Sequence, residues 1–436
     1  MSSSDAPPVC GEYDVVVCGA GPAGAAAAIA AGRLGRRVLL VDLQSQVGGL
    51  IASYGIGTFC DTPGGPIFDE LIERLQAIDA AHLLENPERY YPPGRWRCGT
   101  AATSAVLLEM LREAGVELLL MTVAESAWLE DGAVAGVTIV NKAGRSLVRA
   151  RVVIDCTADA DIAASAGAPF EQGDPEDGRI QQSAFRAGIE GLDAERLPPP
   201  EELEALCRAA VASGAITPPD AIFGINPECF PLSHDRGGLA LGGWELRGID
   251  PTDPRQTTEA LAQCQLAALQ IVRFLRERVP GGEACRLTRF PAALGTRESR
   301  RIVGGYTVTR EDVLGGAKFD DGVVPAWFFV DLHDPPPGQS IPFPLEYVQQ
   351  NRPRPGDWYE IPYRCLVPVE PPGLVVAGRC ISCDRLAQGS LRVMPTCIFL
   401  GHAAGTAAAR AIEAGVHPHE LDGAALKREV MRDWRP

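Results

Sequence analysis

The sequence predicts an α/β fold: a parallel sheet with a β-meander, built from both ends of the chain, and an α+β domain inserted between them. Three observations predict it. The chain opens on a β-branched run, a glycine-rich turn and an Ala-rich helical stretch that leads into a second apolar run, a βαβ unit of about 30 residues. A meander and a further apolar run, Leu374–Ala377, then supply strands for the same sheet. Between them lies a stretch of different texture, opened by Pro198–Pro200. A chain of 436 residues is too long for one ordinary core and suits two domains. The expected division is 1–185 with 360–436 for the sheet domain, and 186–359 for the inserted substrate or cap domain.

The elements follow in order. Tyr13–Cys18 is a buried strand, the residues from Gly19 to about Leu34 form a turn and a helix, and Arg37–Asp42 is the second strand. Ile67–Ala80 and Thr103–Ala114 have helical periodicity, with Gly115 closing the latter, and Val116–Met121 is a strand. Ala124–Ala150 alternates and breaks at Asp131-Gly132 and at Ala143-Gly144, both hairpin signals. That predicts a three-stranded meander, with Arg151–Cys156 as a separate strand returning to the parallel sheet. Thr257–Val279 is a helix of the insert, and Pro395–Ala414 is an Ala-rich helix near the end.

Composition narrows the function. A formal net charge of −16 speaks against a partner that is nucleic acid or an anionic membrane. The 13 cysteines are odd in number, scattered, and without zinc-ligand spacing, so no metal is expected and the thiols are expected to be reduced in a cytoplasmic protein. Met1–Glu12 lacks the basic and apolar regions of a signal peptide. The apolar stretch Ala25–Ala31 is far below the ~20 residues of a membrane span.

Gly19-Ala20-Gly21-Pro22-Ala23-Gly24 fits G-x-G-x-x-G, with a strand before it and a helix after it. Gly19 permits the tight turn, Gly21 lets the backbone approach a pyrophosphate, and Gly24 lets helix and strand pack closely. The helix N-terminus favours the anion through its unpaired N–H groups and its dipole. Asp42, at the end of the second strand, is placed to accept hydrogen bonds from ribose hydroxyls and would repel a 2′-phosphate. This is a Rossmann-type dinucleotide site, and by itself it leaves NAD and FAD both open.

Further segments carry a family resemblance. YDVVVCGAGPAGAAAAIAAGRLGRRVLLVDLQSQVGG, with Gly48-Gly49 after the acidic residue, resembles the opening of FAD-dependent oxidoreductases. Cys156-Thr157-Ala158-Asp159 resembles a second FAD motif in which a glycine usually stands where Ala158 does. LGTRESRRIVGGYTVTREDV, IPYRCLVP, VVAGRCIS and RVMPTCIFLGHAAGTAAA also resemble that family, which is distantly related to the fumarate reductase and succinate dehydrogenase flavoproteins.

The resemblance implies FAD, held by the glycine loop with Pro22 and Ala23, by Asp42 and Leu43, and by Gly48, Gly49 and Leu50. It adds Val123 and the motif Thr157, Ala158 and Asp159. At the flavin end it implies Gly378, Arg379, Met394, Pro395 and Thr396. The helix beginning there would point its N-terminus at the flavin pyrimidine edge and stabilise the anionic reduced flavin. No His stands in the Gly48-Gly49 loop, where related dehydrogenases attach FAD covalently, so the FAD is expected to be non-covalent.

The catalytic candidates are Arg297, Arg392 and His402. Arg297, Glu298, Arg300 and Arg301 form a dense charged patch, and on a strand Arg297 and Arg301 share one face. Such an Arg binds a substrate carboxylate through its fork, or ties domains together. His402 is a proton donor or a structural helix residue, and Cys380-Ile381-Ser382-Cys383 is a dithiol relay or a pair of buried thiols.

The expected activity is two-electron, hydride-type oxidation or reduction of a small-molecule substrate at flavin N5, with an unidentified electron acceptor. No second G-x-G-x-x-G follows a strand, and Gly378 is followed by Arg379 where aromatic hydroxylases carry Gly-Asp. Dehydrogenase or oxidase chemistry is therefore favoured over a flavin-dependent monooxygenase. The alternative of another class is a flavin-bearing electron carrier or redox sensor.

Overall fold

In a computed structural model, residues 7–60, 64–84, 95–193, 195–217, 221–222, 239–334, 344–432 and 434–435 are described. Their main sheet has strand order Glu117–Leu119, Val38–Val41, Val9–Cys18, Gly144–Asp155, Ala133–Asn141, Val123–Glu130, and Leu374–Val376 also pairs with Gly144–Asp155. Val9–Cys18 runs parallel to both of its neighbours, as do Val38–Val41 to Glu117–Leu119 and Leu374–Val376 to Gly144–Asp155. Strands covered on both faces are continuously apolar, and Val15, Val16, Val17 and Leu39–Val41 are fully buried.

The meander differs from expectation at one point. Its third strand and the strand expected to start at Arg151 are one continuous element, Gly144–Asp155. Nothing in Leu147–Ile154 favours a turn: it holds no Gly, Pro, Asn, Asp or Ser. Its first half pairs antiparallel with Ala133–Asn141, and its last residues pair in parallel with Leu374–Val376.

The helix Pro22–Arg33 is almost entirely Ala and Gly, and it is buried from Ala23 to Ala31. It lies against Met394–Ala414, which also carries many small residues. A Cβ on Gly401 would sit 2.0 Å from the Ala23 carbonyl oxygen, and one on Gly405 would sit 2.2 Å from that of Ala27. The two backbones therefore touch, and the paired advance of four residues on each helix shows that they run parallel. Counting from the Gly401–Ala23 contact, Met394–Ala414 begins six residues further out, about 9 Å at 1.5 Å per residue.

The chain divides into two compact units. The first holds Met1–Glu176, Arg300–Leu332 and Pro342–Pro436, and the second holds Asp177–Ser299 and His333–Ile341. The second is smaller than the expected insert, because residues 300–332 and 342–359 belong to the first unit, while residues 177–185, expected in the sheet domain, belong to the second. Residues 300–332 and 342–359 join the first unit through the short strand Arg300–Ile302 against Phe170–Gln172 and the pair Gly322–Ala326 with Tyr359–Pro362. In the second unit, Ser183–Glu190 lies between Leu239–Leu246 and Arg286–Arg289 in an antiparallel sheet. The helix Pro254–Arg278 packs Cys264, Ala267, Ala268, Ile271 and Leu275 into the core that contains Phe185 and Ile189. It starts earlier than expected because Asp253 accepts from the Arg255 and Gln256 amides and Pro254 fits the first turn.

Candidate functional site

The glycine loop lies at the end of Val9–Cys18, as expected. Gly19 has φ +98°, and a Cβ there would fall 2.3 Å from the Cys156 carbonyl oxygen. A Cβ on Gly24 would fall 1.7 Å from the Gly19 carbonyl oxygen. Gly21 is different: its backbone is extended and its Cβ would meet only the Gly49 Cα, at 3.9 Å. Gly21 caps the helix Pro22–Arg33 with no side-chain hydrogen bond, so the first turn, with Ala23 and Gly24, offers N–H groups to a ligand.

Around this turn the structure gathers the expected residues of the nucleotide half. The Asp42 carboxylate accepts from the amides of Ala20 and, at 2.6 Å, of Gln44, which ties the second strand to the glycine loop. Burial pushes the Asp42 carboxyl up, and these hydrogen bonds pull it down. Gly48 donates to the Ala20 carbonyl at 2.7 Å, bringing Gly49 and Leu50, the first residue of the short helix Leu50–Ser53, beside the loop. Met121 and Thr122 donate to the Gln44 and Asp42 carbonyls, which sets Val123 next to Asp42 and the exposed Leu43.

Asp42→Ala is expected to weaken FAD by about 10- to 100-fold. Each lost hydrogen bond to a charged acceptor is worth roughly 1.5–3 kcal/mol, and every 1.4 kcal/mol is tenfold. Fluorescence titration with FAD measures it, and an unchanged Kd would show that Asp42 does not hold the ribose.

Sequence reasoning missed the group that organises the second motif. Asp155, fully buried at the end of Gly144–Asp155, accepts from the Thr157 amide at 3.0 Å, the Thr157 hydroxyl at 2.7 Å and the Ala163 amide at 2.8 Å. Burial pushes its carboxyl up against these bonds. An acid ending an apolar strand one residue before the motif was the available signal. Ala158 stands at φ +72°, a left-handed conformation that a glycine takes without cost and an alanine holds under strain. Asp159 pairs with Arg379, and Arg300 donates to the Asp159 carbonyl and to Asp161.

Gly378, at φ +105°, lies 3.4 Å from the Ala23 Cβ, measured from the Cβ it lacks. Gln388 donates to the Arg379 carbonyl at 2.9 Å. The helix Met394–Ala414 has Val393 as its cap residue, again without a side-chain cap, and Pro395 in its first turn. Thr396, in that turn, is buried, and its Oγ1 has no hydrogen-bond partner among the described residues. Arg392, just before the cap residue, donates to the Asp331 carbonyl at 2.9 Å and to its carboxylate at 3.0 Å.

These residues fit FAD. Two helix N-termini without side-chain caps are offset by about 9 Å along their common direction, and each could receive a negatively charged part of the cofactor. A Cβ on Gly21 would border open space, and the buried Thr396 hydroxyl has no hydrogen-bond partner among the described residues.

His402 lies eight residues into the helix, about 12 Å from Met394, and is not brought to Arg392 by the structure. Its ring stands 6.0 Å from that of Phe399, and its Nδ1 is buried with no hydrogen-bond partner among the described residues. Burial pushes the imidazole down to about 4, with Arg33 adding to this and Glu429 opposing it. The folded chain thus holds His402 neutral between about pH 6.5 and 4 while the unfolded chain protonates it, so stability falls as pH drops through that window. Wild type is expected to lose up to about 3 kcal/mol more than His402→Gln between these pH values, measured by denaturant unfolding. Equal losses would show that the ring is not held neutral.

Cys380 and Cys383 are both buried free thiols, and burial holds the Cys380 thiol well above its usual range, so Cys380 lacks thiolate character. Among the described residues no group of three or more side chains is placed to hold a metal, and no helix is long and apolar enough to cross a membrane.

The charged patch is not a single face. Only Arg300–Ile302 is strand, and the patch straddles the division between the units. Arg301, buried in the first unit, donates to the carbonyls of Cys383 and Gly173. Arg297, in the second unit, donates to the Gln182 carbonyl at 2.7 Å and to Glu245 at 3.1 Å, while His333 Nδ1 lies 3.0 Å from the same Glu245 oxygen. Glu245 and His333 were not legible beforehand, since 88 residues separate them and no motif contains both.

A family model described as FAD dependent oxidoreductase matches residues 14–430. Thiamine thiazole synthase of Aeropyrum pernix is 33% identical over 126 residues, 29% of this chain and 43% of that protein. Digeranylgeranylglycerophospholipid reductase 2 of Methanopyrus kandleri is 32% identical over 149 residues, 33% of this chain and 37% of that protein. The chain thus spans less than half the length of either relative. A geranylgeranyl bacteriochlorophyll reductase-like structure from Thermoplasma acidophilum aligns over 97% of this chain and 82% of its own, at 15% identity and a TM-score of 0.46.

Proposed function

The chain belongs to the FAD dependent oxidoreductase family, and from that premise we propose that it oxidises or reduces a small organic molecule by two-electron, hydride-type transfer at flavin N5, with FAD held non-covalently. FAD is its cofactor. The observation that carries the proposal is the pair of uncapped helix N-termini, Gly21 and Val393, with an orphaned Thr396 hydroxyl in the second. When bound, FAD supplies a two-electron acceptor or donor. The chain's own part is to bind and orient it. The turn after Gly21 would receive the pyrophosphate and Asp42 the ribose. Met394–Thr396 would hold the pyrimidine edge, where the helix dipole would favour negative charge.

Arg379 stands where aromatic hydroxylases carry an acid, and that missing Gly-Asp motif is the ground for favouring dehydrogenase or oxidase chemistry over oxygenation. The second unit is the candidate for selecting the substrate. Anaerobic mixing with a metabolite panel tests this: a metabolite that bleaches the flavin without oxygen supports it. An oxygen-dependent hydroxylated product would replace it with a monooxygenase, and a panel with no reductant at all would leave an electron carrier. Denaturation should release a yellow cofactor that runs as FAD. Flavin that stays on the unfolded chain would refute the non-covalent mode.

Arg297 enters as the residue that orients an anionic or carbonyl group of the substrate. Arg297→Lys keeps the charge and loses the planar fork. It is expected to lower kcat and kcat/KM together by about tenfold or more, with flavin content intact. A near-normal rate of flavin reduction in the loaded variant would leave Arg297 as a strut for Gln182 and Glu245.

A further inference from the structure

Resting on the flavin site just proposed, we propose that Asp331 is a positioning residue that acts through Arg392. It sets the net charge at the head of the helix Met394–Ala414, and with it the relative hold on reduced and oxidised FAD.

Arg392 directly precedes the cap residue Val393 of that helix. One of its nitrogens, Nη2, is held by both the carbonyl and the carboxylate of Asp331. The two side chains are only 13% and 9% exposed. The segment that leads into Asp331, Phe328–Val330, is fixed from several sides. Ser390 Oγ donates to the Phe328 carbonyl, Tyr347 donates to the Val330 carbonyl at 3.0 Å, and the Val330 amide donates to the Asn351 carbonyl at 2.7 Å. A Cβ on Gly389 would lie 3.0 Å from the Asp331 nitrogen, so the helix Arg385–Leu391 presses directly on this segment. Arg310, the other cation near Tyr347, bonds Asn351 and is common to all the variants below.

A pair this far from water adds little net stability over an apolar pair of the same shape. Its charges, however, act strongly where the dielectric is low. Arg392 adds to the positive helix end and favours the anionic reduced flavin, while Asp331 offsets it. Rigid support from Tyr347, Ser390 and Gly389 fixes that balance.

The test is the midpoint potential of FAD-loaded protein, equilibrated with indicator dyes, together with FAD content. Asp331→Asn, nearly isosteric, is expected to favour reduced over oxidised FAD by about tenfold, which is about 30 mV upward for a two-electron couple. Arg392→Met is expected to shift the ratio by a similar factor downward, and Arg392→Lys to stay within about twofold of wild type. Packing damage alone has no reason to move the two variants in opposite directions. Shifts of the same sign, or an Asp331→Asn change below about twofold, overturn the proposal. If Arg392→Met does not load FAD, the sign for Asp331→Asn decides: no rise overturns it. Wild type without FAD would sink the flavin site as well, whereas an unresponsive metabolite panel leaves this measurement untouched.

Discussion

Gly21→Val is expected to abolish FAD binding, at least about a 100-fold loss, while the protein stays folded. The position demands nothing unusual of the backbone, which is extended at φ −67°, ψ −175°. A Cβ there meets no protein atom closer than 3.9 Å. If the pyrophosphate binds at this turn, as proposed, valine would fill its space and block its access to the N–H groups behind. Valine is a poor helix cap, so the apo chain should lose no more than about 1 kcal/mol. Retained flavin is measured by absorbance after gel filtration, and stability by denaturant unfolding. A fully loaded variant would place the pyrophosphate elsewhere.

Gly401→Ala is expected to do the reverse: one methyl group costs the fold about 3 kcal/mol or more. Its Cβ would stand 2.0 Å from the Ala23 carbonyl oxygen, a backbone atom that cannot rotate away. Alanine gains roughly 1 kcal/mol of helix propensity over glycine, which an overlap of this size outweighs. Either the helices separate or one of them shifts, and the spacing between their two N-termini changes with them. Urea unfolding of the apo protein measures the loss, and a Gly401→Ala protein as stable as wild type would refute the backbone contact.

The sequence made the nucleotide half legible because its signals are local. A glycine loop between a strand and a helix, with an acid after the next strand, leaves few ways to fold, and the structure brings Gly19–Gly24, Asp42 and Gly48 together around one turn. Element boundaries slipped where capping decides them, as at Asp253-Pro254. The separate strand at Arg151 was an error of turn chemistry, since no residue there can break the run. What stayed hidden depends on partners remote in sequence. Arg297 and Arg301 look alike on paper, yet one donates to Gln182 and Glu245 and the other to Gly173 and Cys383. Asp155 looked like the end of a strand, and only its three donors reveal it as the anchor of the Thr157–Asp159 turn.

The parallel contact of Pro22–Arg33 with Met394–Ala414 also bears on how the protein is made. The first helix leaves the ribosome long before the other, with the whole second unit encoded between them. Until Met394–Ala414 is synthesised, Ala23–Ala31 lacks the helix that covers it on that side. Closing so long a loop is slow and leaves apolar surface exposed meanwhile. If both helix N-termini hold the cofactor, as proposed, its capture waits for the second of them, and FAD present at that moment would stabilise the newly folded chain by mass action.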